Sequence, residues 1–267
     1  MAVHQVLETG DVHRQFTGVQ VQHVGPLVVE DPVATAHDAD LNDIRARLYG
    51  GNVAGKVTGT WKKGFQLKGS ADVNQVEIAP VLKALGRPLS LTGKVTARPV
   101  TFSASAARAD QLVNALRLET PFDVQNGVLH GVDVVKAATS LISKDGGKGG
   151  ETRFDKLSGH LAMDRGTRRL TRLNVVSGSL SGEGSVTVSP RDELSGRVIA
   201  RVKAVSVASA SVPLNVSGTV SSPILLPTGG TVAGAALGTA VAGPLGTAAG
   251  AKVGQWAEGF LGKKEKK

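Results

Sequence analysis

Gly51-Asn52-Val53-Ala54-Gly55-Lys56-Val57-Thr58-Gly59-Thr60-Trp61 and, after Lys62-Lys63-Gly64, Phe65-Gln66-Leu67-Lys68-Gly69-Ser70-Ala71-Asp72-Val73 form the stretch that decides the fold. Apolar or small residues fill every second position, and mostly polar ones lie between them. The basic triplet with its glycine reads as a turn. A two-residue period places alternate side chains on opposite faces of a strand, one in water and one against something apolar. The pattern returns at Leu180, Gly182, Gly184, Val186 and Val188, at Val198, Ala200, Val202 and Ala204, and at Val212, Leu214, Val216 and Gly218. Residues 51–71 also align without gaps on 178–198, which points to a sheet built by repetition.

Working outward, residues 1–50 read as irregular strands with turns at Gly25-Pro26 and Asp31-Pro32. A short helix is expected over 78–85, stopped by Gly86 and Pro88, then a strand over 89–97. A second helix is expected over 108–116, with Leu112, Val113 and Leu116 on one face. A strand over 118–128 and a helix over 132–142 lead into a glycine-rich loop at 144–150. From 154 to 220 the chain reads as a meander: 154–164, 168–177, 179–189, 193–206 and 211–220. The expected fold is mainly β: an elongated, curved antiparallel sheet, groove-like and repeat-built, with a few short helices. Residues 1–40 form an irregular β-segment, 41–228 the groove domain, and 229–267 a Gly/Ala-rich helical tail.

Composition bears on what the apolar face meets. Apolar residues make up 41% of the 267, but aromatics only 3%, and there are 34 glycines. Such a face is smooth, shallow and aliphatic, better suited to a groove than to a tightly packed interior. The net charge of +9 fits attraction to anionic phospholipid. Nucleic acid is disfavoured, because the basic residues are dispersed and stacking aromatics are scarce. With no cysteine there is no disulfide or thiolate metal site.

Catalytic patterns fail on inspection. None of the six histidines pairs with another at metal-ligand spacing. In Gly178-Ser179-Leu180-Ser181-Gly182 a leucine stands where a nucleophile elbow needs serine. Gly246 to Lys252 lacks the Gly-Lys-Ser/Thr ending of a phosphate loop. The expectation is therefore a protein that is not an enzyme, with no cofactor and no metal.

The tail has its own character. Residues 229–251 carry no charge, Gly230, Gly234 and Gly238 recur every fourth residue, and Pro244 breaks the run. Trp256 and Phe260 then precede Lys263 and Lys264, a pattern suited to a membrane interface, with a helical cap on the sheet as the alternative. Residues 1–30 contain no continuous apolar stretch of the kind that opens a signal peptide.

Several runs in order resemble the C-terminal region of AsmA-like proteins of Gram-negative bacteria: LYGGNVAGKVTGTW (48–61), TPFDVQNGVLHGVDVVKA (120–137), TRFDKLSGHLAMDRGTRRLTRLNVVSGSLSGEGSV (152–186) and SVPLNVSGTVSSPILLPT (211–228). The resemblance covers roughly 40–267. It implies a β-rich repeating groove, anchored in the inner membrane by an N-terminal helix and reaching into the periplasm. It also implies links to phospholipid transport and outer-membrane assembly, with no catalytic residues to carry over. This sequence departs from the pattern in showing no such anchor, so a fragment of a longer chain is expected.

Two functions follow as expectations. One is a lipid-handling module holding phospholipid acyl chains along Val53, Val57, Leu67, Val95, Leu161, Leu180, Val186, Val188, Val198, Val202, Leu214 and Val216, with the tail touching a membrane surface. The other is a scaffold for envelope assembly proteins or for targeting proteins to the membrane, its apolar faces packed on each other.

Overall fold

A computed structural model describes residues 24–29, 33–35, 37–139, 147–178, 180–204 and 207–228. The described chain forms thirteen strands: β1 (Val24–Val29), β2 (Val33–Ala34), β3 (Asp38–Leu48), β4 (Gly51–Thr60), β5 (Phe65–Glu77), β6 (Leu91–Ala106), β7 (Arg117–Val132), β8 (Lys148–Asp164), β9 (Thr167–Val176), β10 (Leu180–Val188), β11 (Leu194–Ala204), β12 (Val207–Thr219) and β13 (Ser222–Pro227). All belong to one antiparallel sheet. From β3 onward each strand pairs with its neighbours in sequence, while β1 and β2 both pair with β3, and the sheet is not closed. The curved, mainly β architecture expected from the alternation is what the chain adopts.

Helices are few. α1 (Ile78–Ala84) ends as the sequence predicts: Gly86, at φ +63°, donates to the Lys83 carbonyl at 3.1 Å, and Arg87 donates to the Leu82 carbonyl at 2.8 Å. This is a Schellman turn, which needs a residue free to take positive φ. The helix expected over 108–116 is instead a 3-10 turn at Ala109–Gln111, followed by hydrogen-bonded turns. Its apolar stripe is only partly covered, Leu112 and Leu116 half-buried and Val113 80% exposed, and short helices draw their stability from packing. α2 (Val134–Thr139) lies inside the range expected for the third helix, but Val132 stays in β7 and Lys148, assigned to a loop by its glycine neighbours, begins β8 opposite it. Strands β6 and β7 run longer than expected and β13 was not anticipated. Arg98-Pro99 falls within a register shift between Ala97 and Thr101, where proline costs no ladder bond.

Bulges explain why period two holds only in pieces. Leu41 and Ile44, Val73 and Val76, Val124 and Gly127, and Leu170 and Leu173 are each three residues apart, yet each pair shares a face. A residue at positive φ lies within every gap: Asp43 at +54°, Gln75 at +55°, Asn126 at +50° and Arg172 at +51°. Each bulge inserts one residue, re-phases the strand and adds to its bend and twist. The repeated hairpins show the same economy. Gly55 pairs with Ala71 but Gly182 with Ala200, so the second hairpin is slipped by two residues relative to the first. An even slip leaves every side chain on its own face.

Candidate functional site

Cross-strand register builds the apolar face row by row. One row runs Leu41–Val57–Gly69–Phe102–Leu118–Met163–Arg168–Val188–Leu194, from β3 to β11. Another runs Val76–Val95–Val124–Leu157–Val175–Gly182–Ala200–Val212. Shorter rows contain Ala46–Val53–Val73 and Leu161–Leu170–Val186–Gly196–Val216–Leu225. Leu67 shares the face of Gly69, while Leu180, Val198, Val202 and Leu214 share that of Gly182 and Ala200. All twelve residues singled out in the sequence therefore lie on one side of one sheet.

That side is concave. A side chain at Gly55, Gly184 or Gly196 would run into the backbone of the adjacent strand, as happens where a sheet is bent sharply toward the side-chain face. At three other glycines an aromatic ring takes the place of the missing side chain: Phe102 over Gly69, Phe154 over Gly127 and Phe122 over Gly159. Glycine on the apolar face thus does more than smooth it, because it seats the few aromatic rings and permits the bend. The sequence signal was present, a glycine on the apolar face of one strand and a phenylalanine on the next. Only the register pairs them.

The trough differs along its length. At its N-terminal end Leu41, Ile44, Val53, Val57 and Leu67 are half-buried, short of the burial a second facing sheet would give. In the middle Val76, Ala97, Val100, Ala104 and Val124 are buried in the bend. At the C-terminal end Leu180, Val188, Leu214 and Val216 are buried outright, with Leu214 at 0% exposure. There α2 packs Ala137 and Ala138 into a cluster with Val132, Leu180, Ala200, Val212, Leu214, Val216 and Leu225. Those candidate lining residues sit in a core, not on an open surface. Val186, Val198 and Val202 pack against its edge, and Val95 and Leu161 are half-buried.

Polar contacts hold the closed end. The Thr152 hydroxyl, buried, accepts from the Val134 backbone N–H at 2.9 Å and donates to the Val132 carbonyl at 2.9 Å. Asp133 caps α2 by accepting from the Lys136 N–H at 2.8 Å. The sheet rolls far enough for Gly131, at the end of β7, to meet Pro223 of β13. Asp192, in the β10–β11 turn, receives Arg168 from β9 and, at 3.0 Å, Arg87 from the segment after α1. The hydrogen bond from Arg168 holds the Asp192 carboxyl below the usual carboxylate range, the charges of Arg168 and Arg87 adding to it against partial desolvation. A contact between residues 105 apart leaves no trace in local sequence.

Two cavities adjoin the sheet. One, of about 480 Å³, is lined by Thr58, Gln66, Lys68 and Arg117 together with Leu67 and Ala104 of the apolar face; the other, of about 510 Å³, lies beside α2 and includes Asp133, Glu151, Phe154 and Leu180. Both are open surface depressions. Among the described residues no three His, Asp or Glu side chains gather as a metal site, and no helix is long and apolar enough to cross a membrane. Trp256, Phe260, Lys263 and Lys264 lie outside the described residues.

No protein-family model, curated protein or solved structure matches the chain.

Proposed function

We propose that this chain is a non-enzymatic lipid-handling module of the AsmA-like kind, holding phospholipid acyl chains along the concave face of its sheet in the periplasmic envelope. The observation that carries the reading is the set of largely aliphatic rows, interrupted by Arg168 near the C-terminal end, whose N-terminal end has no second apolar layer among the described residues. An acyl chain supplies that layer. Each methylene transferred from water contributes about 0.8 kcal/mol, so about ten buried methylenes give about 8 kcal/mol with no specific polar contact. An open face of half-buried valines and leucines holds a chain without fixing its position, which suits movement along the sheet. Closure around α2 gives the trough a floor and an end. The buried C-terminal cluster favours the scaffold reading for that end alone, since its apolar face is already satisfied.

Purification of the full chain, followed by lipid extraction and mass spectrometry, tests this. Phospholipid is expected to co-purify. Val57→Asp is expected to strip most of it, whereas Lys56→Asp, one residue away on the opposite face, leaves it in place. Equal retention by both folded variants, or no lipid on the parent chain, overturns the proposal.

A further inference from the structure

α1 and the segment that follows it leave two leucines close together in water. Residues 78–90 read Ile-Ala-Pro-Val-Leu-Lys-Ala-Leu-Gly-Arg-Pro-Leu-Ser, apolar enough for a core element, yet no residue of α1 is buried. Leu85 is 68% exposed and Leu89 52% exposed. Both are held by defined backbone, Leu85 at the helix C-cap beside the Schellman turn and Leu89 before the start of β6. Two large aliphatic side chains kept in water on a rigid corner mark a contact surface more than a packing accident.

The charges beside them choose the partner. Residues 78–90 hold Lys83 and Arg87 and no carboxylate. The nearest acids are Glu77, which precedes the helix, and Asp192, which pairs with Arg87 at 3.0 Å while half of the arginine side chain stays exposed. Leu85 between Lys83 and Arg87, with Leu89 just beyond, on a chain of net charge +9, matches an anionic bilayer. The apolar side chains enter the acyl boundary and the cations meet phosphates. Position adds to the match, because α1 joins β5 to β6, whose Val73, Val76, Val95 and Ala97 lie in the bend of the trough.

We propose that this corner, centred on Leu85 and Leu89, docks the protein on an anionic phospholipid bilayer and brings the rim of the trough to the lipid surface. The inference goes beyond the trough reading and stands without it, since a corner can dock whether or not the trough is filled.

Absence of cysteine makes the test clean. The full-length variants Leu85→Cys, Leu89→Cys, Val113→Cys and Lys56→Cys are each labelled with a polarity-sensitive nitrobenzoxadiazole group. They are then mixed with phosphatidylcholine vesicles containing or lacking phosphatidylglycerol. Labels at 85 and 89 are expected to shift to the blue and brighten severalfold on the anionic vesicles alone, and labels at 113 and 56 to stay water-like. Leu85→Ser with Leu89→Ser is expected to weaken vesicle binding by about tenfold, and Lys83→Gln by about fivefold, less at high salt. Water-like labels at 85 and 89 on sedimenting protein assign the contact to another part of the chain and overturn the proposal. So does failure to bind anionic vesicles, or an equal response to neutral ones. The label response in a Val57→Asp background separates the two readings: it persists if the corner docks, even where the trough no longer retains lipid.

Discussion

The hairpin β4–β5 and the hairpin β10–β11 share a sequence repeat, an alternating face and the same glycine-valine vocabulary, yet one lines an open trough and the other a core. Val57 and Leu67 are half-buried; Leu180 and Val188 are buried. The second hairpin is covered by α2, by the returning strand β13 and by the pairing of Asp192 with Arg168 and Arg87. Period-two patterning states which side chains share a face. It does not state what that face meets.

Core truncation tests this contrast most severely. Leu214→Ala should cost about 3 kcal/mol, since a leucine at 0% exposure leaves a cavity that its neighbours cannot fully close. Leu67→Ala in the open trough should cost less than about 1.5 kcal/mol, because a half-buried leucine gives up less transfer free energy and leaves no enclosed void. Urea unfolding of both variants measures the difference, and equal losses would mean that the N-terminal face is as closed as the C-terminal one.

Glycine substitution reads the bend in place of the burial. Gly184→Ala should destabilise by about 2 kcal/mol, because its new methyl meets the Arg197 carbonyl and the Val198 backbone. Gly59→Ala, where the nearest atoms are 3.9 Å away, should change stability by no more than about 0.5 kcal/mol. If Gly184→Ala proves as mild, the sheet is less sharply coiled there than described.

A smaller effect is expected from the seating of α2. Thr152→Val keeps the shape but leaves the Val134 N–H and the Val132 carbonyl without their buried partner, at about 1–2 kcal/mol. Thermal unfolding should show this loss, and hydrogen exchange should quicken at α2 while β4 and β5 stay as protected as before.

The smallest expected change concerns Asp192. Its folded pKa lies below the usual carboxylate value. The pairing therefore contributes fully above the unfolded value of about 3.9 and is lost as pH falls through the folded one. With these partners partly exposed the contribution is about 1 kcal/mol or less. Asp192→Asn should lower stability slightly at neutral pH and show a shallower loss than the parent chain below about pH 4. An unchanged acid limb would remove Asp192 as a link between the β10–β11 turn and the segment after α1.

Much of this molecule was legible without coordinates, and the reasons are local. Alternation needs only two-residue spacing, so the β class, the shared face of the candidates within each regular strand run and the meander order could be read directly. The stop of α1 at Gly86 and Pro88 is backbone chemistry within a few residues. Tertiary structure alone decided the bulges at Asp43, Gln75, Asn126 and Arg172, because the strain of a positive φ within a strand is held in place by the pairing of its neighbours. It also decided the aromatic rings over Gly69, Gly127 and Gly159, the loss of the helix over 108–116 and the burial of Leu180 and Leu214 under α2. Burial depends on what comes to lie above a surface, and that is settled by register and curvature summed over many strands. Spacing within any one strand does not carry it.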